Sequence, residues 1–295
     1  MPASYIGRFA PSPSGPLHMG SLIAALASYL DARSHNGTWL MRMEDLDPPR
    51  ESAEAADQIL CALDALGLHW DGPVLYQSQR YPAYAEAIAT LQAQHKVFAC
   101  DCTRQQVLDH DGVYPGTCRD RGLGDGKGIA LRCRVSDWLM TFTDAIQGPQ
   151  QQPLQSAVGD FVIRRKDGLY AYQLAVVVDD GFQNITHVVR GIDLLDSTPR
   201  QRYLQELLNL PRPQYSHIPV IVNSDGQKLS KQHHAPAIDI LNPARLLVEA
   251  LTYLQQQPDP QLLSATPADI LAWATARWQP ARLGALKTLQ EATAD

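Results

Sequence analysis

Several residues in this chain have types and spacings that can do chemistry. His18 follows a loop stiffened by Pro11, Pro13 and Pro16 and precedes an apolar i, i+4 series. An imidazole there lies beside the unpaired N–H groups and the positive dipole end of a helix, a place for phosphate. Lys228 and Lys231 flank Leu229 and Ser230 in the segment Gly226 to Gln232; lysines reaching a phosphate stabilise negative charge as it builds. Arg8 and Arg190 sit in candidate strands, and a guanidinium fork pairs bidentately with a carboxylate. Glu44, ending another strand, can hold an ammonium, and Tyr172 can donate its hydroxyl. Cys100, Cys102 and, after 15 intervening residues, Cys118 supply three thiolates toward tetrahedral zinc, for which ligand chemistry alone offers His110 or Cys133 as the fourth donor.

These side chains need a scaffold that brings them together. Tyr5 to Ala10 reads as a strand that the prolines must end. Leu22, Leu26 and Leu30 then predict a helix from Ser21 to Arg33 with one buried face. Thr38 to Met43 predicts a second strand and Ala53 to Leu66 a second helix, and such alternation indicates a parallel sheet. Val97 to Ile146 is irregular, glycine-rich and cysteine-bearing, and reads as an inserted subdomain. Strands are expected again at Phe161 to Arg165, Tyr172 to Val178, Ile185 to Arg190 and His217 to Val222. A helix from Pro199 to Leu208 is expected with Ser197 or Thr198 as its cap. The tail predicts helices at Ala244 to Gln255, Ala268 to Trp278 and Leu283 to Ala292, while Gln150 to Gln155 and Gln255 to Gln257 read as loops. The expected units are residues 1–96 and 147–236 as two halves of a catalytic domain, 97–146 as a metal-binding insertion, and 237–295 as a short helical end.

Composition narrows the function classes. The chain has 295 residues, 45% hydrophobic and 19% charged, enough apolar content for one large or two modest folded domains. Five cysteines, an odd number with three of them crowded together, suggest reduced thiols and a cytoplasmic location. Aliphatic runs such as Leu174 to Val178 are far short of the roughly 20 residues that cross a bilayer, so no membrane partner is expected. Twenty-five basic against 31 acidic residues give a net charge of −6, which argues against indiscriminate coating of nucleic acid. Arg119, Arg121, Arg132 and Arg134 leave room for a local basic face.

The string Arg8-Phe-Ala-Pro-Ser-Pro-Ser-Gly-Pro-Leu-His18-Met-Gly20-Ser21 resembles the first signature of class I aminoacyl-tRNA synthetases, in its glutamyl branch, with Ser21 in place of the second histidine. Gly226-Gln-Lys228-Leu-Ser230-Lys231 resembles the second signature, a Lys-x-Ser-Lys loop. The resemblance extends from about Tyr5 to Pro236. It implies an α/β fold, the class I Rossmann-like parallel sheet, with a zinc-bearing insertion and a short helical C-terminal part. It implies ATP, brought with Mg, as a substrate bound by His18, Gly20, Lys228, Ser230 and Lys231, with His18 and Lys231 catalytic. It further implies a glutamate pocket of Arg8, Phe9, Ala10, Pro11, Ser12, Glu44, Tyr172 and Arg190. Val176-Val-Val-Asp-Asp180 and Arg190-Gly-Ile-Asp193 match the strings around that pocket. A related subfamily with a Cys-x-Cys, Tyr, Cys site implies Tyr114 as fourth ligand, so that Cys100, Cys102, Tyr114 and Cys118 hold one structural zinc.

After Lys231, 295 − 231 = 64 residues remain, too few for a second domain of ~100 residues. The short form resembles a bacterial branch of the family made of the catalytic part alone. That resemblance implies a monomer that activates L-glutamate without tRNA and then passes it to queuosine in the anticodon of tRNA(Asp). The rivals are a shortened enzyme charging tRNA(Glu) and a catalytically idle tRNA-binding relative.

Overall fold

The computed structural model describes residues 4–48, 50–109, 112–223, 225–226, 228 and 237–290. The expected roles of Ser230, Lys231 and His110 therefore fall outside the described residues. The chain begins with β1 (Ile6–Phe9), which the proline loop ends, and α1 (Met19–Ser34), capped by His18. Then come β2 (Thr38–Met43), α2 (Ala53–Ala65), β3 (Leu75–Tyr76) and α3 (Tyr81–Ala93). β1 pairs in parallel with β2, and β2 with β3. Leu22, Leu26 and Leu30 of α1 are wholly buried, because later helices cover the side of α1 turned away from the sheet. Each such leucine contributes about 2 kcal/mol by leaving water.

The next stretch holds β4 (Val97–Cys100), α4 (Arg104–Leu108), β5 (Ala130–Cys133), β6 (Leu139–Asp144), β7 (Gly148–Pro153), α5 (Leu154–Ala157) and β8 (Phe161–Arg164). Only β4, β5 and β8 form the small sheet of the insertion, and they pair antiparallel. β8 was expected to resume the strand–helix rhythm but pairs here instead. β6 falls inside the expected insertion, yet it joins the second sheet and pairs antiparallel with β7.

α6 (Tyr172–Phe182), β9 (His187–Gly191), α7 (Thr198–Leu207), β10 (Gln214–Ile218) and β11 (Val220–Val222) follow. β10 lies between β9 and β6, parallel to both. The Thr186 N–H donates to Ile6 O at 2.9 Å, so β9 runs beside β1 and the two sheets form one layer. The tail carries α8 (Pro243–Tyr253), α9 (Pro267–Arg277) and β12 (Thr288–Gln290). Both helices pack against α1. Among the described residues no helix is long and apolar enough to cross a membrane.

Four local expectations are corrected. Tyr172 to Val178 is helix, not strand: Leu174, Ala175, Val176 and Val177 are all buried, so packing overrides the strand preference of a valine run. Gln150 to Gln155 is not a loop, since Gly148–Pro153 is an edge strand that needs no apolar face to pair with β6. Leu283 to Ala292 is not a helix where described, because Thr288–Gln290 pairs in parallel with β11. Neither expected cap serves α7: Ser197 makes no capping hydrogen bond, and the Thr198 hydroxyl is used by Arg190.

Candidate active site

Parallel strands deliver their carboxyl ends to one edge, where open α/β sheets bind ligands. A cleft of about 730 Å³ opens there, large enough for a small-molecule pair. Every described residue of the expected glutamate and nucleotide sets lines it: Arg8 through Ser12, His18, Gly20, Glu44, Tyr172, Arg190 and Lys228. Ile23, Ala24, Ile59, Val189 and Ile218 supply an apolar wall.

One end of the cleft is the start of α1. His18 Nδ1 accepts from Ser21 N at 3.3 Å, and its Nε2 lies 3.0 Å from Ser21 Oγ. The serine that replaces the second signature histidine thus holds the first. No acidic residue occupies the first turn of this 16-residue helix, so its positive end remains available to an anion. Lys228 Nζ donates to Asp193 Oδ2 at 2.6 Å on the same cleft wall.

The other end holds three buried guanidiniums. Arg8 Nε and Arg42 Nη1 both donate to Asp180 Oδ1, at 3.2 and 2.8 Å, and Arg42 Nη2 donates to Glu44 at 3.3 Å. Arg190, 5% exposed, is held differently. Its Nε donates to His217 Nε2 at 3.0 Å, Nη1 to Gln201 Oε1 at 2.8 Å and Tyr172 OH at 3.4 Å, and Nη2 to Thr198 Oγ1 at 2.8 Å and Leu194 O at 3.2 Å. None of these partners is a carboxylate. Three guanidiniums thus face two carboxylates, Asp180 and Glu44, and the excess positive charge sits on Arg190. A buried cation held by neutral groups beside a cleft stabilises an incoming carboxylate.

Burial pushes the Glu44 carboxyl above its usual range, against the pull of Arg42 and Arg8. An ammonium beside it would favour the charged form. Burial also opposes ionisation of Asp180, but Arg8 and Arg42 outweigh it and hold that carboxyl below its usual range. Burial raises the Tyr172 phenol, which therefore stays protonated.

In the insertion, Cys100, Cys102 and Cys118 place their Sγ atoms within 4.8 Å of one another. Cys102 and Cys118 Sγ are 3.5 Å apart, close to the ~3.8 Å of two thiolates on tetrahedral zinc. Tyr114 OH lies 3.5 and 3.8 Å from Cys100 and Cys102 Sγ. Its backbone bridges to Gly159, where an added Cβ would meet Tyr114 O at 2.9 Å. The donor set fits zinc, and the thiol cluster is compatible with a zinc site. Cys133 lies outside it, with its Sγ at 3.9 Å from Arg134 O.

The expected basic face is largely spent internally. Arg119 forks onto Asp160 at 2.6 and 2.5 Å, Arg121 pairs with Asp101 at 2.7 Å, and Arg134 donates to Arg119 O at 2.7 Å. Arg132 is buried with its guanidinium carbon 3.9 Å above the Tyr114 ring. These arginines brace the thiol cluster and the small sheet.

Arg42, His217 and Asp144 were not singled out by their sequence. Arg42 carried a usable signal: it lies two residues before Glu44 in an apolar strand, so the two share one face. His217 and Asp144 come from separate strands and carried none.

Residues 6–113 and 119–248 match the family described as tRNA synthetases class I (E and Q), catalytic domain. The chain is 54% identical over 288 residues to a glutamyl-Q tRNA(Asp) synthetase of Pseudomonas putida, covering 98% of this chain and 97% of that protein. It is 52% identical over 291 residues to the Pseudomonas aeruginosa protein of that name, covering 99% of each. In fold it is similar to a glutamate tRNA ligase from Elizabethkingia meningosepticum solved in complex with its amino acid, with TM-score 0.80 and 21% identity. That match covers 96% of this chain and 66% of the ligase, so the chain spans just under two thirds of its length. With the two signature segments meeting in one cleft and a family match over most of its length, the chain belongs to the class I tRNA synthetases of the glutamate and glutamine branch, a family of ligases.

Proposed function

We propose that the chain activates L-glutamate with ATP, without tRNA, and transfers it to queuosine in the anticodon of tRNA(Asp). The observation that carries the glutamate reading is Arg190, a buried guanidinium held by neutral groups in the cleft that also contains Glu44 and the start of α1. The side-chain carboxylate of glutamate pairs with Arg190, with Tyr172 beside it, and the α-ammonium with Glu44. Arg8, fixed by Asp180, stands at the same wall, and the Phe9 to Ser12 backbone borders the amino acid.

This orientation turns the α-carboxylate toward the α-phosphorus of ATP. One of its oxygens attacks, the bond to the bridging oxygen breaks, and pyrophosphate leaves with Mg. Negative charge builds on the leaving group over the α1 start, where His18, Gly20 and Lys228 lie. Lys231 and Ser230 are assigned to the same loop from the signature. A hydroxyl of the acceptor then attacks the glutamyl carbonyl, an ester forms and AMP leaves. The cis-diol of queuosine resembles a terminal ribose, and the names of the relatives support it as acceptor.

Cys100, Cys102, Cys118 and Tyr114 would hold zinc, which supplies a cross-link to an insertion whose own apolar cluster is small. Glutamate-dependent exchange of pyrophosphate into ATP, with no RNA present, tests the first step. Its absence at saturating ATP, magnesium and glutamate would favour the idle relative.

A further inference from the structure

We infer that His217 and Asp144 are positioning residues that set the affinity of the cleft for its acidic substrate by aiming Arg190 without neutralising it. The inference rests on Arg190 receiving the substrate's side-chain carboxylate. Arg190 on β9 and His217 on β10 are register partners, 5% and 0% exposed, and Asp144 ends β6 on the other side of β10. The three strands thus set guanidinium, imidazole and carboxylate in one row.

Asp144 Oδ1 accepts the N–H groups of Ile146, Gln147 and His217 at 3.0, 2.8 and 3.1 Å, and this fixes the carboxylate. Its Oδ2 lies 2.6 Å from His217 Nδ1. A carboxylate only accepts, so the imidazole proton is on Nδ1 and the Nε2 lone pair faces Arg190 Nε at 3.0 Å. Burial and the Arg190 charge oppose a second proton and keep His217 below its usual range, although Asp144 pulls the other way.

The contrast with Arg8 gives the arrangement its purpose. Arg8 donates directly to Asp180, which shares its charge. Among the described residues Arg190 donates to no carboxylate and is linked to Asp144 through a neutral ring, so its charge is left for a ligand. Thr198 Oγ1, 3.4 Å from the same Nε2 and 2.8 Å from Arg190 Nη2, closes the clamp from α7.

Pyrophosphate exchange on the full chain tests this with Asp144→Asn, His217→Gln, His217→Leu and Arg190→Lys. In Asp144→Asn the new amide donates to Nδ1 and moves the ring proton to Nε2, setting donor against donor at Arg190. The expected result is a glutamate KM raised about tenfold or more, with ATP KM within about twofold and kcat within about threefold of wild type. His217→Gln, which keeps an acceptor, stays near wild type, whereas His217→Leu follows Asp144→Asn. If Asp144→Asn does not fold, the two His217 variants decide alone. An unchanged glutamate KM in His217→Leu, with Arg190→Lys raising it, overturns the positioning role and leaves the glutamate reading intact. An unchanged glutamate KM in Arg190→Lys overturns both.

Discussion

Lys228 Nζ lies 2.6 Å from Asp193 Oδ2, which joins the second signature loop to the end of β9 across the cleft wall. Gly191 allows this, since a Cβ there would lie 2.4 Å from Asp193 Oδ1. The pair is partly exposed and contributes at most about 1 kcal/mol to stability, so a triphosphate can take the lysine from it. Lys228→Ala is therefore expected to slow pyrophosphate exchange at least about tenfold while shifting the melting temperature by under about 2 °C. An unchanged exchange rate would remove Lys228 from the nucleotide site.

Glu44 gives the pH dependence a sign. Burial raises its pKa in the free enzyme, so its carboxylate is lost at a higher pH than that of an exposed glutamate. The kcat/KM for glutamate should fall as pH drops through that raised value, and kcat should fall at lower pH because a bound ammonium favours the carboxylate. Glu44→Gln should flatten this limb and lower kcat/KM about a hundredfold. Stopped-assay pH profiles for both proteins check this, and an acid limb that survives in Glu44→Gln contradicts it.

Asp179 and Asp180 are neighbours in α6 with separate tasks. Asp179 accepts from Tyr84 OH at 2.6 Å, Gln77 Nε2 at 2.9 Å and Arg80 Nε at 3.0 Å, away from the cleft. Asp179→Ala should cost about 3 kcal/mol of stability and leave glutamate KM near wild type. Asp180→Ala frees Arg8 and Arg42 and should raise glutamate KM. Urea unfolding and exchange kinetics on the two variants separate these effects, and matching profiles would contradict the division.

The zinc reading predicts that Tyr114→Phe lowers zinc affinity at least about tenfold in chelator competition, whereas Cys133→Ala and His110→Ala do not. Three thiolates and a phenolate outweigh the charge of the ion, and Arg132 and Arg121 donate to Cys100 and Cys118 Sγ at 3.2 and 3.3 Å. Arg132→Met should weaken zinc binding about tenfold. Chelation should raise hydrogen exchange in residues 97–134 and spare α1. Full zinc affinity in Tyr114→Phe with loss in His110→Ala would move the fourth ligand.

Much of this was legible in the residues. The spacing of Leu22, Leu26 and Leu30 marks α1, and the prolines before it mark the loop that brings His18 to the cleft. The two signature strings hold Arg8 to Ser12, His18, Gly20 and Lys228 of the cleft lining, whereas Glu44, Tyr172 and Arg190 lie outside them. The valine run of α6 misled because β-branched residues favour strands, while burial of Leu174 to Val177 in a packed helix decided the outcome. Thr288–Gln290 misled because Leu283, Leu286 and Leu289 recur every three residues, while pairing with β11 decided the outcome. The Arg190, His217 and Asp144 row was illegible because it depends on strand register, which opposes Arg190 to His217 and Asp144 to Tyr215 and is written nowhere in their local sequence.

Transfer of glutamate to a queuosine-bearing anticodon is the step that sets the proposed activity apart from charging of tRNA(Glu). The direct measurement incubates the protein with ATP, labelled glutamate and tRNA from cells able or unable to make queuosine, then maps the ester. Label confined to tRNA(Asp) from the queuosine-making cells, at the anticodon, is the predicted result. Equal labelling of both pools, or label at the acceptor end of tRNA(Glu), would contradict it.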